Sequence, residues 1–251
     1  MKILPISCLK DNYAYLLICE DSQQVGVVDP SEAEPILAVL AAHHLPLHVV
    51  LNTHHHWDHT GGNEGLKARF PALQIWGHAS DRGRIAGQTH FLEDGQHVQL
   101  GQLQGRVIHN PGHTRGAVSY HFQDALFTGD TLFGAGCGRT FEGTAAQMQA
   151  SLQRLAALPA TTRCFFGHEY TRSNLHFAQA VEPGNPAITA RSAQLQGTST
   201  PSTLAEELRS NPFLRCDQPA VIAAASAREP GLDPSDPAEV FRVLRAWKDG
   251  F

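Results

Sequence analysis

The sequence lacks the features that indicate nucleic-acid-binding and membrane proteins. It has no excess of basic residues, since 19 lysines and arginines are outnumbered by 24 acidic residues and the net charge is −5. A nucleic-acid-binding protein presents a basic face to the phosphate backbone, so this charge argues against that class. The chain has no uninterrupted apolar run of about 18 residues and no apolar segment typical of a secretory signal peptide. We therefore expect neither a nucleic-acid partner nor a membrane partner.

Cysteines are few and scattered along the chain. The 5 cysteines are odd in number and contain no C-x-x-C pair. A framework of disulfide bonds needs an even set of cysteines in an oxidising compartment, so this pattern is not typical of a secreted disulfide-rich protein. A reduced, cytoplasmic protein is the simplest interpretation.

The pattern of strand and helix signals changes near residue 168. A chain of 251 residues with 42% hydrophobic residues can form one large domain, or one domain with a smaller companion. Short apolar and β-branched runs, bounded by turns, predict an α/β domain over residues 1–168. No convincing strand follows, so residues 169–251 are predicted to be a helical companion. Three capping-box patterns mark helix starts at Ser31 with Glu34, Thr144 with Gln147, and Thr203 with Glu206.

A histidine-rich segment, Thr53-His54-His55-His56-Trp57-Asp58-His59, is the most informative part of the sequence. It follows the apolar run from Leu47 to Leu51, which predicts a strand buried on both faces, and it precedes a turn at Gly61. Neutral imidazoles and carboxylates bind zinc, iron and manganese. A surface histidine tract with adventitious metal affinity is the alternative, but such tracts lack a preceding strand and a following turn.

The spacing within this segment divides its side chains into two sets. His54 and His56 point in the same direction on an extended backbone, because side chains alternate with period two, so they can chelate one ion. Asp58 and His59 lie just beyond, where the chain must turn, and can reach a second ion.

Three later strand ends carry further candidate ligands. His109 and His113 both have a suitable side chain, but His113 is favoured because it lies in a Pro-Gly turn after a strand. Asp130 follows a strand and a glycine, where it can be either a ligand or a helix N-cap. His168 follows the apolar run that ends at Gly167. The pooled set of five histidines and two aspartates is too large for one tetrahedral ion, and it suits two ions that share a bridging carboxylate.

These motifs resemble those of the metallo-β-lactamase superfamily. The segment Thr53 to His59 resembles its T-H-x-H-x-D-H signature, and Pro111–Thr114, Thr128–Thr131 and Gly167–Thr171 are similar to its later ligand motifs, in the same order. Within the superfamily, three more segments resemble the hydroxyacylglutathione hydrolases, or glyoxalase II enzymes: Gly136–Thr144, Asn211–Arg215 and Leu244–Asp249. The resemblance covers essentially the whole chain.

The resemblance implies a fold and a metal centre. The implied fold is α/β, an αββα metallo-β-lactamase sandwich over residues 1–168, followed by a C-terminal α-helical domain over residues 169–251 that shapes the substrate pocket. Two divalent ions per chain are implied, with zinc expected and iron or manganese possible. The implied ligands are His54, His56 and His113 for the first ion, Asp58, His59 and His168 for the second, and Asp130 as the bridge.

The resemblance also implies a reaction and a substrate site. The reaction is hydrolysis of S-(2-hydroxyacyl)glutathione, such as S-D-lactoylglutathione, by a metal-bound hydroxide, as in methylglyoxal detoxification. The implied catalytic residues are His54, His56, Asp58 and His59. Arg139, Arg245 and Lys248 are implied to bind the glycine carboxylate of glutathione, with Tyr170 nearby. Spacing alone favours a solvated helix end for Arg245 and Lys248. Phe141 stands where some members have tyrosine, so we expect it to contribute only packing.

Two other functions are compatible with the same residues. One is a glutathione persulfide dioxygenase with a single iron, and the other is a non-catalytic metal-binding regulatory protein. Metal content and oxygen uptake distinguish the dioxygenase from the hydrolase, and a thioesterase assay distinguishes the regulator. We expect the hydrolase, acting as a monomer on a small-molecule glutathione thioester.

Overall fold

The computed structural model describes residues 1–251 and separates them into two units. The first unit contains residues 1–109 and 115–129, and the second contains residues 110–114 and 130–251. None of the helices is long and apolar enough to cross a membrane.

The first unit consists mainly of strands. Its elements in chain order are β1 (Lys2–Cys8), β2 (Asn12–Ile18), β3 (Val25–Val28), α1 (Ala33–Ala42), β4 (Val49–Leu51), α2 (Trp57–Thr60), α3 (Asn63–Arg69), β5 (Gln74–His78), β6 (His90–Leu92), β7 (His97–Leu100), β8 (Leu103–His109), β9 (Val118–Phe122) and β10 (Ala125–Gly129). One turn of 3-10 helix, Ala79–Asp81, follows β5.

A six-stranded mixed sheet runs in the order β1 to β6. β1, β2 and β3 pair antiparallel, whereas β3, β4, β5 and β6 pair parallel. All residues of β2 and β4 are buried, as expected for strands covered on both faces. Leu16 and Val50 pack with Ile36 of α1 and Leu66 of α3 in one hydrophobic core. This packing fixes the carboxyl end of β4, from which the histidine segment leaves.

Strands β7 to β10 form an antiparallel arrangement in the same unit, in which β8 pairs with β7 and β9, and β9 pairs with β10. The aromatic ring of Phe127 on β10 lies 5.7 Å from that of Tyr15 on β2, measured between centroids. Tyr120 on β9 donates a hydrogen bond of 2.8 Å to the carbonyl oxygen of Asn52, just after β4. The two sets of strands therefore pack face to face and bury their aromatic side chains between them.

The second unit is mainly helical. Its elements in chain order are β11 (Leu132–Phe133), β12 (Gly136–Cys137), α4 (Ala145–Ala156), β13 (Arg163–Phe166), α5 (Thr171–Val181), α6 (Pro186–Gln194), β14 (Ser202–Thr203), α7 (Leu204–Ser210), α8 (Pro219–Arg228) and α9 (Pro237–Asp249). One turn of 3-10 helix, Pro212–Leu214, follows α7. β11 and β12 form a hairpin, and β13 pairs antiparallel with β14.

Helix α9 carries a cluster of aromatic and aliphatic side chains into the core of this unit. Phe241 is fully buried, and its ring lies 5.6 Å from that of Phe213. Phe213 in turn stacks on Phe177 of α5 at 5.8 Å, and Trp247 meets Phe177 edge-on at 5.2 Å. Such ring pairs add stability beyond the apolar area that they bury. The cluster fixes α9, and with it the basic residues near its C-terminal end.

Two of the three predicted capping boxes are confirmed. Thr144 and Thr203 each accept a hydrogen bond from the third residue of their helix, and the reciprocal bond is present in both. The prediction at Ser31 is wrong, because α1 begins at Ala33 and no side chain caps it. The chain before α1 is held by other contacts, since the Glu32 carboxylate accepts from the Leu9 amide at 2.6 Å.

The expectation that no strand follows residue 168 is wrong for Ser202–Thr203. This strand has only 2 residues and exists because Ser202 and Thr203 pair with Cys164 and Arg163 of β13. A strand of that length contains no alternation that could be recognised in the sequence.

Candidate metal centre

The histidine-rich segment begins at the carboxyl end of β4. His56 keeps an extended conformation and acts as the N-cap of α2, so Asp58 and His59 lie in the first turn of that helix. The Nε2 atom of His54 lies 3.0 Å from the Nδ1 atom of His56, and the Nε2 atom of His59 lies 3.7 Å from Oδ2 of Asp58. His54 and His56 are therefore neighbours in the folded chain, and so are Asp58 and His59, as their spacing predicts.

Asp29, at the end of β3, orients this segment from behind. Its Oδ1 accepts from the Thr53 amide at 2.7 Å, and its Oδ2 accepts from the Thr53 hydroxyl at 2.6 Å. The same Oδ2 lies 3.0 Å from Nδ1 of His59. Asp29 is 2% exposed and has φ of 48°, an unusual backbone conformation for a residue other than glycine. No local pattern in the sequence points to a role for Asp29.

Gly129 is the last residue of β10, directly before Asp130. Its φ is 48°, in the left-handed region that favours glycine. A Cβ atom at this position would collide with the hydroxyl oxygen of Thr53. The close approach of the two chains therefore requires glycine here.

His113, Asp130 and His168 form a second set of candidate ligands. The Oδ2 atom of Asp130 lies 3.5 Å from Nε2 of His113 and 3.4 Å from Nε2 of His168. One carboxylate oxygen thus lies between two imidazoles, as a bridging ligand requires. No helix begins at Asp130, since β11 follows it, so the alternative role as an N-cap is excluded.

His109 has different neighbours. Its ring stacks on that of His78 at 4.0 Å, and its Nε2 lies 2.8 Å from the carbonyl oxygen of Arg115. His113, which we favoured on sequence grounds, belongs to a group of possible ligands, and His109 does not.

All seven predicted ligands lie in groups with closely spaced donor atoms. His54, His56, Asp58 and His59 belong to the first unit, and His113, Asp130 and His168 belong to the second. Imidazole nitrogen and carboxylate oxygen are donors that divalent zinc, iron and manganese accept.

The outer ring nitrogens of these histidines support a metal centre. A metal-binding histidine usually directs its other ring nitrogen to a carboxylate, a backbone carbonyl or another polar group. Nδ1 of His59 faces Asp29, and Nδ1 of His113 lies 2.8 Å from the carbonyl oxygen of Arg139. Nδ1 of His54 lies 3.1 Å from the hydroxyl of Thr53. This arrangement leaves the Nε2 atoms to bind a cation, so the residues fit a divalent metal site.

Three basic side chains predicted to bind substrate lie in the second unit. Arg245 is 7% exposed and donates to the carbonyl oxygen of Cys137 at 2.9 Å and to Asp249 at 2.9 Å. Arg139 lies on the surface, and its Nε is 3.4 Å from Oδ1 of Asp249. Lys248 donates to the hydroxyl of Ser173 at 3.2 Å. Partial burial lowers the pKa of Lys248, and the charges of Arg245 and Arg139 lower it further.

The two predicted aromatic site residues lie beside candidate ligands. The ring of Tyr170 stacks on that of His168 at 4.8 Å, with 5° between the planes. The ring of Phe141 lies 5.3 Å from that of His113, and Phe141 is one of the few exposed large hydrophobic residues. Trp57 is more exposed still, at 72%, although it lies between two candidate ligands in the sequence.

Models of two protein families together match this chain from residue 12 to residue 251. The model of the metallo-β-lactamase superfamily matches residues 12–168, and the model of the hydroxyacylglutathione hydrolase C-terminus matches residues 169–251. The hydroxyacylglutathione hydrolase of Synechococcus sp. (strain JA-3-3Ab) is 48% identical over 259 residues, with 100% of each chain covered. That of Gloeobacter violaceus is 46% identical, again with 100% of each chain covered.

The chain belongs to the hydroxyacylglutathione hydrolase family.

Solved structures share the fold of this hydroxyacylglutathione hydrolase family member. ETHE1 from Myxococcus xanthus aligns with a TM-score of 0.68 at 26% identity, covering 98% of this chain and 91% of its own. TTHA1623 in a di-iron-bound form aligns with a TM-score of 0.62 at 26% identity, covering 85% of this chain and 100% of its own. The expected fold class, an αββα metallo-β-lactamase sandwich with a C-terminal helical region, is confirmed.

Family membership also confirms the expected class of enzyme, a thioester hydrolase. The relatives favour neither of the two alternatives, the mononuclear dioxygenase and the non-catalytic regulator. The cluster of histidines and aspartates supports binding of divalent metals.

Proposed function

We propose that this chain hydrolyses S-(2-hydroxyacyl)glutathione, with S-D-lactoylglutathione as substrate, to glutathione and the hydroxy acid. The observation that carries the proposal is the full-length similarity to hydroxyacylglutathione hydrolases, which includes the C-terminal region. In a cell this reaction would serve methylglyoxal detoxification.

We further propose that two divalent ions, preferably zinc, occupy the candidate centre. His54, His56 and His113 would hold the first ion, Asp58, His59 and His168 the second, and Asp130 both. Support comes from the close groups of donor atoms and from the Asp130 oxygen between two imidazoles. When bound, such a pair lowers the pKa of coordinated water to about 7 and stabilises negative charge on the thioester carbonyl oxygen.

The residues of the chain would then position the reacting groups. Asn12 donates from Nδ2 to the backbone oxygen of Asp58 at 3.0 Å and to its Oδ2 at 3.2 Å. Asp58 is thereby held in one orientation, which suits it to direct the attacking water. The leaving thiolate has a conjugate acid with a pKa of about 8.5, so it departs without a strong general acid. This agrees with a site whose acidic and imidazole groups are nearly all used as ligands.

The basic residues Arg139, Arg245 and Lys248 would provide the charge that attracts the glycine carboxylate of glutathione. The whole chain is acidic, with a net charge of −5, so a local cluster of cations is needed for an anionic substrate. Tyr170 and Phe141 would line the path between this cluster and the metals, and Phe141 would contribute packing only.

We propose residues 1–168 as the catalytic domain and residues 169–251 as the helical substrate-binding domain. Support comes from the two family models, which match residues 12–168 and 169–251. We also propose a cytoplasmic monomer that needs no nucleic acid and no membrane. Support comes from the acidic charge and from the five cysteines, all of which are free thiols.

The decisive experiment measures turnover of S-D-lactoylglutathione at the thioester absorbance and metal content on the same sample. We expect rapid turnover with about two metals per chain. His54→Ala should abolish turnover, whereas His43→Ala, which removes an exposed histidine at the end of α1, should have no effect. Absence of thioester turnover, with one iron bound and oxygen consumed on glutathione persulfide, would instead identify a dioxygenase.

A further inference from the structure

The carboxylate of Asp249 lies between two of the proposed substrate-binding arginines. Its Oδ1 accepts from Nη2 of Arg245 at 2.9 Å and from Nε of Arg245 at 3.2 Å. The same oxygen lies 3.4 Å from Nε of Arg139. A carboxylate of the protein therefore already occupies part of a cluster that is proposed to bind the carboxylate of a substrate.

Arg245 has little capacity left for a ligand. One edge of its guanidinium, Nε with Nη2, is bound to Asp249, and its Nη1 donates to the carbonyl oxygen of Cys137 at 2.9 Å. The group lies 5.0 Å from the ring centre of Phe213, and the residue is 7% exposed. A buried guanidinium with these contacts is fixed in place. Arg245 thus contributes its positive charge to the cluster and anchors Asp249, while its guanidinium donors are already bound within the protein.

Arg139 has the complementary properties. Its side chain is 62% exposed, and Asp249 is the partner of its Nε. The structure shows no hydrogen bond from its Nη1 and Nη2 atoms, and these two donors form an edge that can bind a carboxylate bidentately. Lys248 adds a second charge to the same cluster. Burial lowers its pKa, and the charges of Arg245 and Arg139 lower it further.

We propose that Asp249 is a positioning residue for the carboxylate subsite. It connects the buried anchor Arg245 to the exposed Arg139, and it orients the Nη1 and Nη2 atoms of Arg139 towards the glycine carboxylate of the substrate. The proposal rests on the proposed function, because it assigns a role within the glutathione site. Recognition of the glycine carboxylate then depends on an acidic residue, Asp249, that does not touch the substrate.

A double-mutant cycle tests this role. The steady-state kinetics of the wild type, Asp249→Ala, Arg139→Ala and the double variant are measured with S-D-lactoylglutathione. We expect Asp249→Ala to raise KM about fivefold, as for the loss of an exposed ion pair, with kcat changed less than about twofold. Arg139→Ala should raise KM roughly tenfold, because a charge-assisted hydrogen bond to substrate is lost. The double variant should match Arg139→Ala, because Asp249 acts through Arg139.

Two controls separate positioning from damage to the fold. Glu239→Ala removes another acidic residue of α9, one paired with Arg242 at 2.9 Å, and should leave both kinetic constants unchanged. A thioester of glutathione whose glycine carboxylate is converted to an amide should show little difference between the wild type and Asp249→Ala.

Two results would overturn the proposal. Additive effects in the double variant would mean that Asp249 acts independently of Arg139. A lower KM in Asp249→Asn than in the wild type would mean that Asp249 competes with the substrate carboxylate for the arginines. Failure of the proposed function itself looks different, since the wild type would then not cleave the thioester at all.

Discussion

At the scale of single residues, the candidate ligands depend on side chains that are not themselves candidate ligands. Asp29 is the clearest case, because its two oxygens bind both the amide and the hydroxyl of Thr53 and also face His59. Such a carboxylate fixes the ring orientation of the histidine and raises its basicity as a ligand.

Asp29→Asn should therefore weaken metal binding without removing a ligand. The amide has the same shape but no charge, so we expect metal affinity to fall by about 10- to 100-fold. Titration against a chelator of known affinity measures this change. Asp21→Asn, which alters an exposed aspartate of the first unit, is the matched control and should bind metal like the wild type. Unchanged affinity in Asp29→Asn would limit Asp29 to a role in folding.

The sequence suggested the candidate ligands but not the residues that hold them in place. His54, His113 and His168 each follow an apolar run that predicts a strand, and chemistry at the ends of strands is a local signal. Asp29 acts on Thr53 across 24 residues, and Asn12 acts on Asp58 across 46 residues. These bonds form only when distant parts of the chain fold together, so they leave no local pattern. The burial of Arg245 could not be predicted for the same reason. Spacing alone favoured a solvated position at the end of a helix, whereas Arg245 bonds to Cys137, 108 residues away in the chain.

At the scale of secondary-structure elements, a buried carboxylate connects several parts of the second unit. Glu207 on α7 is fully buried and accepts from the Ala135 amide in the β11–β12 turn at 2.8 Å. It also accepts from Arg191 on α6 at 2.6 Å and from Asn211 at 3.1 Å. Since Asn211 also donates to the carbonyl oxygen of Gly136 at 2.9 Å, the hairpin is attached to α7 at two points.

Glu207→Ala should destabilise the fold strongly. It leaves the charge of Arg191, whose side chain is only 12% exposed, without its carboxylate partner, and the loss of one member of such a pair costs about 3 to 5 kcal/mol of unfolding free energy. Urea denaturation measures the loss. Glu229→Ala, which breaks an exposed ion pair with Arg242, is the comparison and should change the urea midpoint little. Equal midpoints for the two variants would show that Glu207 does not connect these elements.

Capping-box patterns predicted the start of a helix correctly only where the capping residue bonds within its own helix. Thr144 and Thr203 cap helices whose first turns are free to form the reciprocal bonds. Ser31 has the same pattern, but Glu32 bonds to Leu9, and the amide of Gly62 donates to the carbonyl oxygen of Pro30 at 2.8 Å. Tertiary contacts on both sides of the predicted cap thus override its propensity.

At the scale of the whole molecule, composition only argued against some classes of partner, whereas motifs in a fixed order predicted the fold. A net charge of −5 and 42% hydrophobic residues are shared by many unrelated enzymes. The order of the ligand motifs, followed by a basic C-terminal helix, is much more specific, and the family models confirmed the fold that it implied.

Metal removal should lower the stability of the entire protein. The candidate ligands come from many separate positions in the chain, so a metal that binds only the folded state stabilises it by mass action. A free metal concentration 100-fold above Kd contributes about 2.7 kcal/mol. We therefore expect dialysis against a chelator to lower Tm by several degrees and added zinc to restore it. Asp130→Asn should respond much less to both treatments, and an equal response would place the stabilising metal elsewhere.

The close approach of Gly129 to Thr53 also affects how genetic data on this enzyme would be interpreted. Any side chain at Gly129 must displace the threonine that Asp29 holds, and must do so one residue before the proposed bridging ligand. Saturation mutagenesis scored by growth on a toxic aldehyde would therefore rank Gly129 beside the histidines of the metal centre. A count of essential positions would then overestimate the number of residues that perform chemistry, because Gly129 contributes only its small size and its left-handed backbone conformation.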